Sequence, residues 1–437
     1  MITESVKYKW PALTITLVVA SSSRGRGHMI TIGRMPKKVQ GFFQSVEQHF
    51  SRPAFAHFWQ LILAITISHG ATIERLAKQL RNSSHRTKHG EFLWQSTWDG
   101  PAVVQQIALD TLKRLARKHG GKCYFIIDET QTLKRAKKMA GVGKLFHHST
   151  GKYGCGHTML KVCLWYRGVI IPWGTCLYLK EADAEKQKIP FAKLTELATE
   201  AIRSAKLPRG LEVTVLFDCY YLCPVVVEAC RQRKWHFIGV GKPNRWFSTN
   251  TGKHRLRSYG PNVLSRSGQW CWITGLARKK KYRLAERTGR LKSIGEVKIV
   301  FSRRRNESKT IALVTDDLKA PMPEVVADYL KRWAVELWIK SQKQQLGLGD
   351  YRVLRYRAIE RHLALVDLAY ACLTHVGLKT HRAQGQRNQK KCVLRLPSVQ
   401  QLKTQMRQMI WQEEVQNVIK NAHEQSVIRR LEKLLAA

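Results

Sequence analysis

Two short, continuous apolar runs that each close on an aspartate limit what this chain can fold into. Residues 123–128 read Cys-Tyr-Phe-Ile-Ile-Asp, and residues 211–218 read Leu-Glu-Val-Thr-Val-Leu-Phe-Asp. Short runs without polar alternation mark strands covered on both faces, so helices must flank the sheet that holds them. Around them the pattern predicts strands over 158–166 and 169–179, joined at Arg167-Gly168. A helix over 190–205, a second over 223–234 and a strand over 235–240 follow. That succession predicts an α/β layer with a mixed sheet.

The flanking segments have other patterns. Residues 36–120 read as all-helical, with Thr72 capping an amphipathic helix over 72–80 and a later helix over 103–118. Helix, glycine turn and basic helix fit a helix-turn-helix reader of DNA and an ordinary helical hairpin equally. Residues 243–320 carry turn residues and short alternating segments (269–274, 297–302, 309–315), a β-rich insertion. Between Arg278 and Arg305 lie 12 Lys or Arg and two Glu, read as a cationic face for DNA backbone, with Lys279, Lys280, Arg303 and Arg304 as its contacts. An apolar helix over 358–378, a basic linker over 382–391 and a helical tail complete the chain. The expected divisions are an extension over 1–34, a helical DNA-binding domain over 35–121, a core over 122–242 and 321–380 split by the insertion 243–320, and the tail 381–437.

Charge narrows the class of partner. Against 31 Asp+Glu stand 76 Lys+Arg, a net charge of +45 in 437 residues. A surplus of that size calls for a polyanion, and nucleic acid is the usual one. The ten cysteines show no Cys-x2-Cys pair; they read as reduced thiols of a cytoplasmic, nucleoid-associated protein, most of them buried. Cys219, Cys223 and Cys230 have helical spacing and read as buried. His147, His148, Cys155 and His157 match no standard zinc spacing. The apolar run over 10–20 is about half a membrane span, and no membrane partner is expected. Lys7 and Lys9 before it faintly imitate a signal peptide. The preferred reading of 1–34 is an extension translated from an upstream start, with Met29 and Met35 as alternative initiators.

Chemistry gathers at Tyr329-x2-Arg332-x3-Glu336-x6-Lys343. On one helix these four side chains fall within about 60° of each other. Val326, Leu330, Trp333 and Leu337 form the adjacent stripe expected to be buried. Alone, such a face reads as a solvated stripe with an ion pair. Asp128 and Asp218 alter that reading: they precede Glu336 at intervals of 90 (218 − 128) and 118 (336 − 218) residues, so the three meet only through the tertiary fold. Converging carboxylates need cations between them. Their hard oxygens suit Mg²⁺ or Mn²⁺, and two such ions about 4 Å apart support in-line phosphoryl displacement.

The blocks Phe125-Ile-Ile-Asp128-Glu-Thr, Leu216-Phe-Asp218-Cys-Tyr-Tyr221 and Tyr329-x2-Arg332-x3-Glu336-x6-Lys343 resemble the three catalytic blocks of the insertion-sequence-four family of DDE transposases. The runs Gln345-Leu-Gly-Leu-Gly-Asp-Tyr351-Arg-Val, Arg357-Ala-Ile-Glu-Arg-His362 and Leu368-Ala-Tyr370 extend the likeness, which covers roughly residues 40–380. Residues 1–34 match no part of it. The resemblance implies an RNase H-like catalytic core interrupted by a β-rich insertion. It also implies cut-and-paste transposition, often through a hairpin, by a homodimer on double-stranded inverted-repeat ends and target DNA. Asp128, Asp218 and Glu336 would be the catalytic metal ligands, for Mg²⁺ or Mn²⁺, two ions. Tyr329, Arg332 and Lys343 would bind DNA near the cut. An aromatic of the insertion can stack on a flipped base in this family. Trp246, Trp270 and Trp272 are its candidates here, each read first as core. The alternative function is a metal-dependent DNA nuclease that does not transpose.

Overall fold

The computed structural model describes residues 36–420 apart from 69, 81–82, 118–119, 137, 148–149, 276–277 and 384–392. The extension 1–34, most of the linker and the last residues of the tail therefore lie outside the described residues. The fold below is that of the unit Ile32–Val415.

Helices come first: α1 (Lys37–Gln40), a 3-10 turn (Gln44–His49), α2 (Arg52–Ile67), α3 (Ile73–Lys78), α4 (Arg86–Gln95) and α5 (Gly100–Ala116). Thr72 caps α3 by accepting from Arg75 N at 3.4 Å, and Asp99 caps α5 by accepting from Ala102 N at 3.0 Å. The α3 helix is six residues long, and its Lys78 pairs with its own Glu74.

A mixed sheet follows. Its strands and helices are β1 (Gly121–Leu133), β2 (Gly143–His147), β3 (Lys152–Tyr166), β4 (Val169–Tyr178), α6 (Glu181–Lys186), α7 (Leu194–Ser204), β5 (Leu211–Phe217), α8 (Pro224–Gln232) and β6 (His236–Val240). β1, β5 and β6 run parallel, while β3 is antiparallel to β1 and β4 to β3. The order β4-β3-β1-β5-β6 with these directions is compatible with the expected RNase H-like arrangement.

The insertion extends this same sheet. It holds β7 (Trp246–Thr249), β8 (Gly252–Arg255), α9 (Leu256–Ser267), β9 (Gln269–Thr274), β10 (Lys279–Leu291), β11 (Gly295–Arg304) and β12 (Ile311–Thr315). β12 pairs with β6 on one side and β11 on the other, so twelve strands form one sheet among the described residues. Neither α9 nor the long β10 was expected from the pattern. The chain then returns through α10 (Met322–Tyr329), a 3-10 turn (Leu330–Arg332), α11 (Trp333–Gln345), α12 (Tyr356–Ala383) and α13 (Val399–Lys420).

Strand alternation sorts the core into two layers. Tyr124, Ile126 and Leu216 face α10, α11 and α12, whereas Phe125, Val215 and Phe217 face α7, α8 and α9. Among the described residues one helix, over Tyr356–His381, is long and apolar enough to cross a membrane. It is the central core helix: Ile359, Leu363, Val366, Leu368 and Leu373 are buried inside this unit.

Two sequence readings are corrected, that Asp128 ends its strand and that most of the cysteines are buried. Asp128 does not end its strand, because β1 continues to Leu133 paired with β3. His157 is not available to zinc: its ring is buried, with Nδ1 2.7 Å from the Tyr351 hydroxyl and Nε2 2.8 Å from Ala140 O, and burial pushes its pKa down to about 4. No metal-binding group of three His, Cys, Asp or Glu exists among the described residues, of which His148 is not one. The cysteines are mixed: Cys123, Cys163, Cys230 and Cys372 are buried, Cys219 and Cys223 half-buried and Cys155 exposed.

The β3–β4 turn yields a first prediction. Arg167 and Gly168 both have positive φ, 51° and 89°, as a tight two-residue hairpin turn requires. The segment after the linker docks there, Leu394 N donating to Arg167 O at 2.7 Å, and a Cβ on Gly168 would collide with the Leu394 carbonyl. Gly168→Ala should therefore lower stability by about 1–3 kcal/mol, read from the urea midpoint.

Candidate active site

Topology brings the two aspartates together. The parallel register of β1 with β5 runs to Ile126↔Leu216, and Asp128 and Asp218 each stand two residues beyond this last pair, Asp128 still on β1 and Asp218 just past the end of β5. By alternation both project to the face covered by α10 and α11. Asp128 is held in place locally: its Oδ1 accepts from Glu129 N at 3.0 Å. Asp218 accepts from Tyr220 N at 2.8 Å, an Asx-type turn that follows directly on β5.

Glu336 enters from the first turn of α11. The Arg332 guanidinium joins it to Asp128, donating from Nη1 to Asp128 Oδ2 at 2.7 Å and from Nη2 to Glu336 Oε1 at 2.5 Å. Tyr329 lies beside this cation, its ring centroid 5.9 Å from the guanidinium carbon. Lys343 reaches β1 and donates to Gln131 O at 2.7 Å.

The segment bearing these residues is not one helix. The 3-10 turn at Leu330–Arg332 advances about 120° per residue instead of 100°, rotating the following helix by about 60° relative to a continuous one. The expected apolar stripe fails for this reason. Trp333 is 54% and Leu337 42% exposed, and the buried face is Ala334, Val335, Trp338, Ile339 and Gln342.

Burial pushes Asp128 up to about 6; Arg332 opposes this, and Asp218 and Glu336 add to it. The Coulomb effect places all three carboxylates in one electrostatic neighbourhood. Burial would lower Arg332, but Tyr329, Asp128 and Glu336 outweigh it and hold the guanidinium protonated. Burial raises Tyr329 to about 12, so its phenol is neutral. Glu129, passed over in the sequence, is pushed up to about 7 by burial against the pull of the Tyr221 hydroxyl, with Asp218 and Asp128 adding to the rise. Its Oε2 is buried without a hydrogen-bond partner.

A second missed feature underlies α11. Lys161 is paired across the sheet with Asp128 on one side and Thr175 on the other. Its side chain and that of Asp367 are fully buried, with Nζ 3.0 Å from Asp367 Oδ1 and 2.7 Å from Gln342 Oε1. Thr175 and Gln342 each donate to Asp367 at 2.7 Å, and the Lys161 ammonium lies 3.8 Å from the Trp338 ring centroid. This cluster bolts β3, β4 and α12 to the helix that carries Glu336.

The donor set suits a hard divalent cation: three carboxylates, with no competing thiolate or imidazole among them. Among the described residues no three acidic side chains close on a single point in the present geometry, and Arg332 supplies the positive charge between Asp128 and Glu336.

Beside this site an open cavity of about 440 Å³ is lined by Ile273, Gly275, Arg278, Lys280, Tyr282, Arg304, Leu330 and Trp333. The four basic candidates of the insertion divide between two faces: Lys280 and Arg304 line the cavity, while Lys279 and Arg303 alternate to the opposite side. Arg304 is paired with Glu307 at 2.8 Å. The aromatics divide too. Trp246 lies on the cavity-side face of the sheet, Trp270 and Trp272 on the other. At 37%, 49% and 58% exposure none of the three is a core residue, contrary to the first reading of them.

Two family models match the chain: DDE superfamily endonuclease over residues 46–255 and Transposase DDE domain over residues 192–372. No curated protein matches it. The two matched spans overlap, and between them they contain Asp128, Asp218 and Glu336. Enzymes of this superfamily are generally dependent on divalent metal, and the matches imply DNA as substrate. Each match covers less than half of the chain; together the two DDE domain matches support a relationship to the DDE transposases and indicate an enzyme of the metal-dependent nuclease and transposase class.

Proposed function

We propose that this enzyme is a cut-and-paste transposase of the insertion-sequence-four group, which cleaves at inverted-repeat ends and joins the freed 3′-hydroxyls to target DNA. The observation that carries the reading is the row Asp128–Arg332–Glu336, hydrogen-bonded end to end beside Asp218. Asp128, Asp218 and Glu336 would hold Mg²⁺ or Mn²⁺; bound, the metal supplies charge stabilisation for phosphoryl displacement. The chain's own part is positional. Freed from the two carboxylates, Arg332 has the planar fork that grips a phosphodiester bidentately. Tyr329 remains a neutral phenol able to donate to the same group. Lys343 is anchored on β1, and Lys279, Lys280, Arg303 and Arg304 add backbone charge.

The deciding experiment supplies paired inverted-repeat ends and a target plasmid with Mg²⁺. Joined products from a dimer spanning two ends are expected. Cleavage without joining would identify a nuclease instead.

A pH dependence follows from Asp128. Burial sets its pKa near 6, above the ordinary carboxylate value, so below that pH an incoming ion must displace a proton. Mn²⁺ affinity, measured by calorimetry, should be full near pH 8 and fall by about tenfold per unit below pH 6. An affinity unchanged down to pH 5 would remove Asp128 from the ligand set.

A further inference from the structure

The insertion presents a second surface, turned away from α10 and α11. β9 and β10 pair so that Trp270 stands opposite Arg283, Trp272 opposite Lys281 and Thr274 opposite Lys279. Directly opposed residues on antiparallel strands project from the same face. Ile273 and Tyr282, on the other face, line the cavity beside Leu330 and Trp333. Trp270 and Trp272 therefore cannot turn toward Asp128 or Glu336 without inverting the strand.

Both indoles are open to solvent, Trp270 49% and Trp272 58% exposed. Two neighbouring rings left uncovered on one face are unusual on a monomer's surface and mark a contact site. The cations are interleaved with them. Lys281 Nζ lies 5.6 Å from the Trp270 ring centroid and 6.0 Å from that of Trp272, with Lys279 Nζ 5.9 Å from Trp272. These distances are at the outer limit of a cation–π contact, so the rings are loosely covered and exchangeable. Arg303, opposite Arg283, continues the positive row onto β11.

We propose that this face is a binding platform for single-stranded DNA. The inference rests on the chain acting on DNA and adds a preference for strand type. Charge complementarity selects a polyanion, and the rings select its form. Residues i and i+2 of a strand stand about 7 Å apart, so Trp270 and Trp272 can each take one of two successive bases. An indole gains stacking only from a base face not already covered by a neighbour, and in a duplex those faces are covered. The lysines between the rings meet the phosphates that link the two bases.

Full-length protein carrying W270A/W272A, and a companion carrying W270F/W272F, tests this by fluorescence anisotropy. The probes are a labelled oligothymidylate, a duplex of equal length and labelled polyglutamate, without metal. The double alanine variant should bind the single strand at least about tenfold more weakly, bind the duplex within about twofold of the parent, and keep its circular dichroism. The phenylalanine pair should retain most of the affinity. Unchanged single-strand binding overturns the proposal. An equal loss for the duplex, or for polyglutamate, marks a general anion or protein surface and overturns it as well. Because binding is read without cleavage, a chain that holds the strand but never joins ends would count against transposition alone.

Discussion

Glu336→Gln and Asp128→Asn are each expected to abolish strand cleavage while leaving end binding within about twofold. Each turns one of the three carboxylates that would hold the metal into a neutral amide. The charge stabilisation a bound ion gives to phosphoryl displacement is several kcal/mol, and each 1.36 kcal/mol is tenfold, so the loss should be about a thousandfold or more. The controls are built into the site. Arg332 keeps one carboxylate partner in either variant, since it contacts both Asp128 and Glu336, so loss of the site's fold is not expected. Plasmid nicking beside gel-shift measurement on the same preparations separates chemistry from binding. Cleavage retained by Glu336→Gln would exclude Glu336 from the catalytic set.

Lys161→Met should produce the largest loss of stability. It leaves Asp367 fully buried without its counter-charge and strips an acceptor's partner from Gln342. Breaking a buried pair from one side costs about 3–5 kcal/mol, whereas replacing both partners by apolar groups is often nearly neutral. Lys161→Met/Asp367→Leu should therefore recover much of the loss in a denaturant titration. The same variants report on position as well as stability. Gln342 and Trp338 lie on the helix that carries Glu336, so the single substitution should weaken metal affinity at temperatures where the protein is still folded. A double variant no more stable than the single would show that the cluster acts through more than its charge pair.

What the sequence made legible follows the physics of burial. Strands covered on both faces write themselves as uninterrupted apolar runs, so β1, β5 and β6 were readable, and with them a mixed α/β sheet carrying Asp128 and Asp218. β10 was not: its buried residues are few and split between both faces (Tyr282 and Leu284, Ala285 and Leu291), and with six Lys or Arg in 13 residues (279, 280, 281, 283, 287 and 290) it reads as a charge run. Lys161 was equally opaque. A lysine inside an apolar strand gives no sign of its acidic partner 206 residues away on α12. The stripe of Trp333 and Leu337 was misjudged because period counting assumes one helix, and three residues of 3-10 geometry shift its phase. The signal for Glu129 was present, as the residue next to Asp128, but strand alternation assigns it to the other face.

β12 has a mechanical consequence. This strand of five residues is the seam between the core and the rest of the basic insertion, pairing with β6 at three positions and with β11 at five. Beyond it only residues 316–321 separate the sheet from α10, and that stretch is pinned at both ends. Asp316 accepts from Phe237 N at 3.1 Å on β6, and Lys298 of β11 donates to Ala320 O at 2.8 Å. No slack intervenes. Were DNA held on the insertion, as proposed above, a pull on it would reach the base of the segment that leads to Arg332 and Glu336. On the reading that the insertion binds DNA, it would act as a lever arm with β12 as its fulcrum.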